Sequence, residues 1–270
     1  MKTGTDIKYL LATKTNVPVF ERQLILSHVL GQPRSWLIAH DTDVISDADA
    51  HDYHAQLTRR EGGEPIAYII GYKNFWKHRF AVNPATLIPR PETELLVELA
   101  LSARAATPCQ VLDLGTGSGA IAVSLAAEQA QWSVIASDIS AKALKVAQTN
   151  SRSLPNLWFF RGCWTEALAS HSVDMIVSNP PYIAPDDDHL LSLKHEPRGA
   201  LVAAEAGLSD IESIITGSQK VLVRGGTLVL EHGYCQQDAV CRTLQVAGYE
   251  HIEKFKDLGG IPRAVRAKLP

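Results

Sequence analysis

The sequence predicts an α/β protein: a doubly wound sheet of seven strands, preceded by a small helical domain and a β-hairpin. Three observations predict it. Apolar runs of strand length alternate with helical segments from Cys109 to the end of the chain. A glycine-rich loop, Gly115-Thr116-Gly117-Ser118-Gly119, follows the first of those runs and opens a helix. Residues 1–62 instead carry their apolar side chains at helical spacing.

Within residues 1–62, Leu24, Ile25, Val29 and Leu30 share one helix face, and Gly31-Gln32-Pro33 ends that helix. Asp47-Ala48-Asp49 caps a second helix, which ends near Arg60 before Gly62-Gly63. Residues 63–86 form a link. There, 66–72 and 76–82 are rich in β-formers and are separated by Lys73-Asn74, the pattern of a hairpin. The main domain spans 87–270. Pro91, Glu92 and Glu94 mark the start of a helix over 95–103, where the helix dipole favours acids. Strands at 111–114, 133–137, 157–160, 173–178 and 227–231 follow, with helices at 120–129, 142–150, 211–223 and 238–247. Residues 252–255 and 264–266 close the sheet as an antiparallel pair across Asp257-Leu258-Gly259-Gly260.

Composition narrows the function classes. The chain has 270 residues, 46% of them hydrophobic, enough for a real core. Lys plus Arg is 26 against 29 Asp plus Glu, a net charge of −3, so the basic excess of a nucleic-acid protein is missing. Lys73, Lys77, His78 and Arg79 form a small basic cluster, which a solvated hairpin explains. The four cysteines show no CxxC spacing, so neither a zinc site nor a disulfide framework is expected. No run reaches the ~18 apolar residues of a membrane span, and no leader pattern opens the chain. These features fit a soluble, cytoplasmic protein with no metal, no membrane contact and no direct nucleic-acid partner.

Two stretches carry chemistry. The loop Gly115 to Gly119 lacks the GxGxxG spacing of a dinucleotide site and the Lys-Ser/Thr of a phosphate loop. Asp113, just before it, sits badly with a pyrophosphate and suits a cationic group such as an amino acid's amine. Asp138 ends the second strand, where a carboxylate can accept both hydroxyls of a ribose. Together they read as a site for S-adenosylmethionine. The plainer reading is a tight turn with two helix-capping aspartates. Trp164 follows the third strand and packs either on an adenine or in the core.

The second stretch is Asn179-Pro180-Pro181-Tyr182, at the end of the strand over 173–178. The two prolines restrict the backbone on both sides of each peptide. The Asn179 side-chain oxygen and a neighbouring carbonyl then form two acceptors for a planar NH2 group, with Tyr182 as a stacking face. The plainer reading is a stiff turn.

These residues resemble class I methyltransferases that act on planar nitrogen. Three further stretches narrow the likeness: Gly63 to Gly71, Leu87-Ile88-Pro89-Arg90-Pro91-Glu92-Thr93-Glu94, and Glu196-Pro197-Arg198-Gly199-Ala200-Leu201. With them, the whole chain is similar to the peptide-chain release-factor glutamine methyltransferases of the HemK/PrmC type. The resemblance implies a Rossmann-like methyltransferase domain, with S-adenosyl-L-methionine as donor and S-adenosyl-L-homocysteine as product. It implies as substrate the glutamine of the Gly-Gly-Gln loop of class-1 peptide chain release factors, docked by the N-terminal helices. It assigns cofactor contacts to Gly115, Thr116, Gly117, Ser118, Gly119, Asp138, Trp164 and Asn179, beside the Asp113 read above. It assigns substrate contacts to Asn179, Pro180, Pro181 and Tyr182, with Asn179, Pro180 and Tyr182 carrying the chemistry. It departs at Cys163, where the family usually has an acid. A nucleobase amine methyltransferase would need the same clamp, and an inactive module could keep the fold. The charge balance argues against the first, and the intact loop and clamp against the second.

Overall fold

The N-terminal part of the chain folds as helices whose ends are set by local chemistry. The computed structural model describes residues 5–104, 107–151 and 154–270. Helix α1 (Ile7–Leu11) is capped by Asp6, whose carboxylate accepts from the Tyr9 amide at 2.6 Å. Helix α2 (Val19–Leu30) ends at Gly31 in the left-handed conformation. After α3 (Arg34–Ala39), α4 (Asp47–Glu61) is capped by Ser46 rather than by the aspartates that follow it. Ile7, Leu10, Ile25, Leu26, Leu37, Tyr53 and Leu57 form the core of this unit, which runs to Tyr72.

The first hairpin strand expected at 66–72 is instead helix α5 (Ile66–Ile70). Pro65 starts it, accepting from the Tyr68 and Ile69 amides, and Gly71 at φ 80° stops it. Ala67, Tyr68, Ile69 and Ile70 are all buried. An apolar run buried on every side has no periodicity to separate helix from strand, which is why the expectation failed.

The hairpin is shorter and later: β1 (Tyr72–Phe75) and β2 (His78–Ala81), turning at Trp76-Lys77 with Trp76 at φ 52°. Lys73 and Asn74, expected in the turn, lie within β1. Residues from Lys73 onward belong to the second unit. Phe75 and Phe80 meet edge to face, with centroids 6.0 Å apart, inside that unit's core. So the hairpin, apart from its first residue Tyr72, clusters with the sheet unit.

A 3₁₀ turn over Pro91–Thr93 leads into α6 (Glu94–Ala103). Strands β3 (Cys109–Leu114), β4 (Trp132–Asp138), β5 (Leu157–Arg161), β6 (Val173–Ser178), β7 (Leu222–Glu231), β8 (Glu250–Lys256) and β9 (Pro262–Lys268) form one sheet in the order β5-β4-β3-β6-β7-β9-β8. The first five are parallel, while β9 runs antiparallel to β7 and β8. Helices α7 (Ala120–Glu128) and α8 (Ala141–Asn150) follow β3 and β4. The short turn α9 (Ala204–Gly207) and α10 (Ser209–Val221) precede β7, and α11 (Gln237–Val246) follows it. Side chains of β3 alternate between two cores, Val111 with α6 and α7, Leu112 and Leu114 with α10 and α11. Each fully buried aliphatic side chain contributes about 1.5–3 kcal/mol.

Asn150, the last residue of α8, ties the hairpin to the glycine loop. Its Nδ2 donates to the carbonyls of Ala81 (3.0 Å) and Ser118 (2.9 Å), and its Oδ1 accepts from the Ala81 amide (2.8 Å). Asn150→Ala leaves these part-buried groups unpaired and is expected to cost about 1–3 kcal/mol. Urea unfolding checks this, and an unchanged midpoint would refute the tie.

Candidate active site

The site lies at the C-terminal ends of β3, β4 and β6, where ligands of open α/β sheets bind. Register places it there. Leu114 is level with Ser137 on one side and Ser178 on the other. The residues that follow, Gly115, Asp138 and Asn179, therefore leave the sheet side by side.

They border a cavity of about 480 Å³, within the usual range for small-molecule sites. Of the residues singled out in the sequence, Gly115, Gly117, Asp138, Trp164, Asn179 and Pro181 line it. Asp113, Thr116, Ser118, Gly119, Pro180 and Tyr182 do not. Leu87 and Pro197, from two further motif stretches, join the wall, as do Cys163 and Asp210. Among the described residues, the wall contains Asp138 and Asp210 but no Lys, Arg or His. It fits a ligand that is cationic or rich in hydrogen-bond donors, and does not fit a pyrophosphate.

Each wall residue is held in place. Asp138 accepts from the Gly117 amide at 2.9 Å and the Ser140 amide at 2.8 Å, which clamps the glycine loop against the next strand. Burial raises its pKa against those two hydrogen bonds. Each oxygen keeps acceptor capacity beyond these contacts. Gly115 has φ +70°, and a side chain there would press on the Trp164 ring, whose Cζ3 lies 3.2 Å from the Cβ position. Trp164 itself sits at φ 42°, left-handed backbone that costs a non-glycine residue about 1–3 kcal/mol. Its indole Nε1 donates to Asp210 Oδ1 at 3.3 Å. Burial raises the Asp210 pKa, and that indole bond opposes the rise.

Asp113 lies beneath the loop, fully buried, not on the wall. Its Oδ2 accepts from the Thr116 hydroxyl (2.6 Å) and the Ala122 amide (3.2 Å), so it orders the loop and the start of α7. Its Oδ1 has no partner among the described residues. Burial lifts its pKa to about 7.

Around Asn179 the motif stretches are joined. Asn179 Nδ2 donates to Thr93 Oγ1 at 3.1 Å. The Tyr182 hydroxyl donates to Glu231 Oε1 at 3.0 Å, and the ring packs into the core with α10 and α11. Tyr182 thus anchors the turn rather than facing the cavity. Glu196 is buried, accepts from the Ile88 amide at 3.0 Å and pairs with Arg90. The Ile183 amide donates to the Leu201 carbonyl (2.9 Å), and the Ile183 carbonyl accepts from Ala203 (3.0 Å). Gln236 donates to the carbonyls of Tyr182 and Ala206, both at 3.0 Å. Gly207, at φ +82°, passes so close that a Cβ would lie 2.1 Å from the Tyr182 oxygen.

Thr93, Asp210, Gln236 and Glu231 were missed from sequence. For Glu231 a signal existed: a carboxylate ending an otherwise apolar strand. Among the described residues no cluster of His, Cys, Asp or Glu could hold a metal, and no helix is long and apolar enough to cross a membrane.

Sheet order, cavity position and wall chemistry define a Rossmann-like methyltransferase. Solved structures agree on the fold. A methyltransferase from Pyrococcus furiosus superposes with a TM-score of 0.54 at 18% identity, covering 80% of this chain and 96% of that one. A ribosomal protein L11 methylase from Lactobacillus delbrueckii subsp. bulgaricus gives 0.53 at 18%, covering 70% and 84%. The family model described as PrmC N-terminal domain matches residues 7–71, and the methyltransferase small domain matches 91–195. Release factor glutamine methyltransferases from Escherichia coli K12 and Bordetella pertussis are 44% and 46% identical to it. They cover 90% and 96% of this chain, and 89% and 97% of their own lengths are matched. The chain belongs to the release factor glutamine methyltransferase family.

Asp113 makes stability depend on pH in a defined sense. Its folded pKa of about 7 lies above the ordinary 3.8. Its contribution is therefore present in full below about 3.8 and lost as pH rises through 7. Relative to Asp113→Asn, the ligand-free protein should lose up to roughly 4 kcal/mol of stability between pH 4 and pH 7.5. Urea unfolding of both proteins across that range checks this, and a constant difference would refute it.

Proposed function

We propose that this chain methylates the side-chain amide nitrogen of the glutamine in the Gly-Gly-Gln motif of class-1 peptide chain release factors, with S-adenosyl-L-methionine as donor. One observation carries the reading. Asn179 and Pro181 share a single cavity wall with Gly115, Asp138 and Trp164, so an amine clamp and a donor site open into the same space. Family membership supplies the substrate class.

The wall fits that donor: acids, an aromatic ring, close glycine backbone and no cation. Asp138 would hold the ribose hydroxyls and Trp164 would pack on the adenine, while Asp113 keeps the loop in shape. When bound, S-adenosylmethionine supplies an electrophilic methyl group on a sulfonium.

The protein's task is to prepare a poor nucleophile. An amide nitrogen delocalises its lone pair into the carbonyl. Asn179 Oδ1 and a backbone carbonyl of the same turn would accept its two hydrogens, raise electron density on nitrogen and aim the lone pair. Such orientation supplies about 7–11 kcal/mol in favourable systems. No general base is needed at the clamp, and the proton leaves to solvent after transfer. His171 and His189 are engaged elsewhere, with the Leu222 carbonyl and with Asp187. The N-terminal helices would dock the protein substrate, whose site of modification is a cytoplasmic translation component.

Intact-mass analysis of a release factor incubated with enzyme and donor should show one added methyl, mapping to a single glutamine. Methylation of DNA or RNA instead would overturn the substrate. Asn179→Ala should lower turnover by about 10²–10³-fold while calorimetry shows S-adenosylhomocysteine still bound. Asp138→Ala should weaken that binding by about tenfold or more, the loss of one charged hydrogen bond, and an unchanged Kd would sink the ribose assignment.

A further inference from the structure

Two carboxyls border the cavity, Asp138 and Asp210, and the methyl-transfer reading employs only the first. Asp210 is the second residue of α10, in a first turn where the helix dipole alone would favour an acid. Its contact is of another kind. Among the described residues Asp210 takes one hydrogen bond, from the Trp164 indole Nε1 to Oδ1 at 3.3 Å, which leaves Oδ2 with its acceptor capacity.

The packing of α10 holds that contact in place. Gly217 stands two helical turns beyond Asp210, on the same face. A Cβ at Gly217 would lie 2.1 Å from Thr165 Oγ1, so glycine lets the helix come right up to the Trp164-Thr165 segment. Trp164 in turn keeps its left-handed backbone at φ 42°. Its ring meets the protein at both ends. Cζ3 and Cη2 of the six-membered ring lie 3.2 and 3.6 Å from the Cβ position of Gly115, and Nε1 of the five-membered ring meets Asp210. The indole thus spans the wall from the glycine loop to Asp210. Asp138 stands at the loop end of that span, where it accepts from the Gly117 amide at 2.9 Å. A nucleoside with its ribose at Asp138 and its base on the Trp164 ring turns the far edge of the base towards Asp210. In adenine that edge carries an exocyclic NH2, and an ionised carboxylate only accepts. The Cys163 thiol on the same wall is a weak partner by comparison.

We propose that Asp210 is the residue that reads the base of the donor: the Trp164 indole fixes the carboxylate through Oδ1, and Oδ2 accepts from the 6-amino group of adenine. The proposal rests on the S-adenosylmethionine reading of the cavity and adds to it the residue that selects the purine. The same carboxylate orients the ring on which the base packs.

Calorimetry on the ligand-free protein tests this without turnover. The probes are S-adenosylhomocysteine and its analogue whose purine lacks the 6-amino group. In the wild type the analogue should bind about 10–100-fold more weakly, the loss of one hydrogen bond to a charged acceptor. Asp210→Ala also deprives the indole of its partner, which weakens both ligands alike, so the ratio of the two dissociation constants carries the answer. That ratio should fall to within about threefold of one. Asp210→Asn keeps the shape, but the indole N–H claims its single carbonyl oxygen and turns the amide NH2 towards the cavity, so the ratio should collapse there too. A residue that merely props Trp164 gives another pattern: both ligands weaken together and the wild-type ratio survives in the variants. That result, or a wild-type ratio near one, would overturn the proposal. Should Asp210→Ala fail to fold, Asp210→Asn decides it. Failure of the donor reading looks different: the wild type then binds neither ligand, and the proposal falls with it.

Discussion

The site depends on the register of three parallel strands. Leu114 stands level with Ser137 and Ser178, so the next residue of each strand reaches the sheet edge together. Strands lie about 4.8 Å apart, which sets Gly115, Asp138 and Asn179 within reach of one small ligand. A slip of one residue in any strand would turn its contribution to the other face. Two cross-strand bonds at the edge lock the register. The Thr116 amide donates to the Ser137 carbonyl at 2.9 Å, and the Ser178 hydroxyl to the Leu114 carbonyl at 2.7 Å. The apolar residues buried on both faces supply the energy, and these few polar contacts supply the alignment.

Three buried carboxyls organise the loops above that edge. Asp113 holds the glycine loop, Glu231 the clamp, and Glu196 the segment that closes over it. Only Glu196 has a guanidinium as direct partner, Arg90. The other two are only half satisfied: Asp113 Oδ2 by a hydroxyl and an amide and Glu231 Oε1 by the Tyr182 hydroxyl, each leaving its second oxygen without a partner among the described residues, and burial lifts both to about 7. Such groups are poor sources of stability, because desolvation takes back much of what their bonds return. What they provide is direction: each fixes donors that would otherwise point anywhere. The contrast with Asp138 follows the same logic. Asp138 lies at the cavity edge, its two oxygens held by backbone amides, and keeps acceptor capacity for a ligand.

The parallel strands, the glycine loop and the proline turn after β6 were legible in the sequence because each announces itself locally, by alternation, spacing or proline. What was not legible depends on distance. Thr93 lies 86 residues from Asn179 and reads as an ordinary helix-start residue. Asp210 stands at the start of α10, and nothing near it in sequence places it beside Trp164. It brings an acid to the same wall as Cys163. Asp113 and Tyr182 show the converse. Both were recognised, yet the structure turns them inward, because a side chain at a strand end can face the ligand or support the loop that does. The helix over Ile66–Ile70 was lost for a simpler reason, a uniformly apolar run with no period to read.

The polarity of the clamp has a consequence for how far a reaction at it can go. On the function proposed above, Asn179 Oδ1 and a carbonyl of the same turn hold a primary amide by two hydrogens. After one transfer and loss of a proton, the nitrogen keeps a single hydrogen. One acceptor is then unpaired in a part-buried site, a cost of about 1–3 kcal/mol, or roughly 5- to 150-fold in affinity. The methyl group must also occupy the space of the lost hydrogen, between proline-stiffened walls that cannot widen easily. The product is therefore held more weakly than the substrate, and its remaining lone pair is no longer aimed by two acceptors. A rigid clamp that counts hydrogens both favours release and disfavours a second transfer, with no separate device for either.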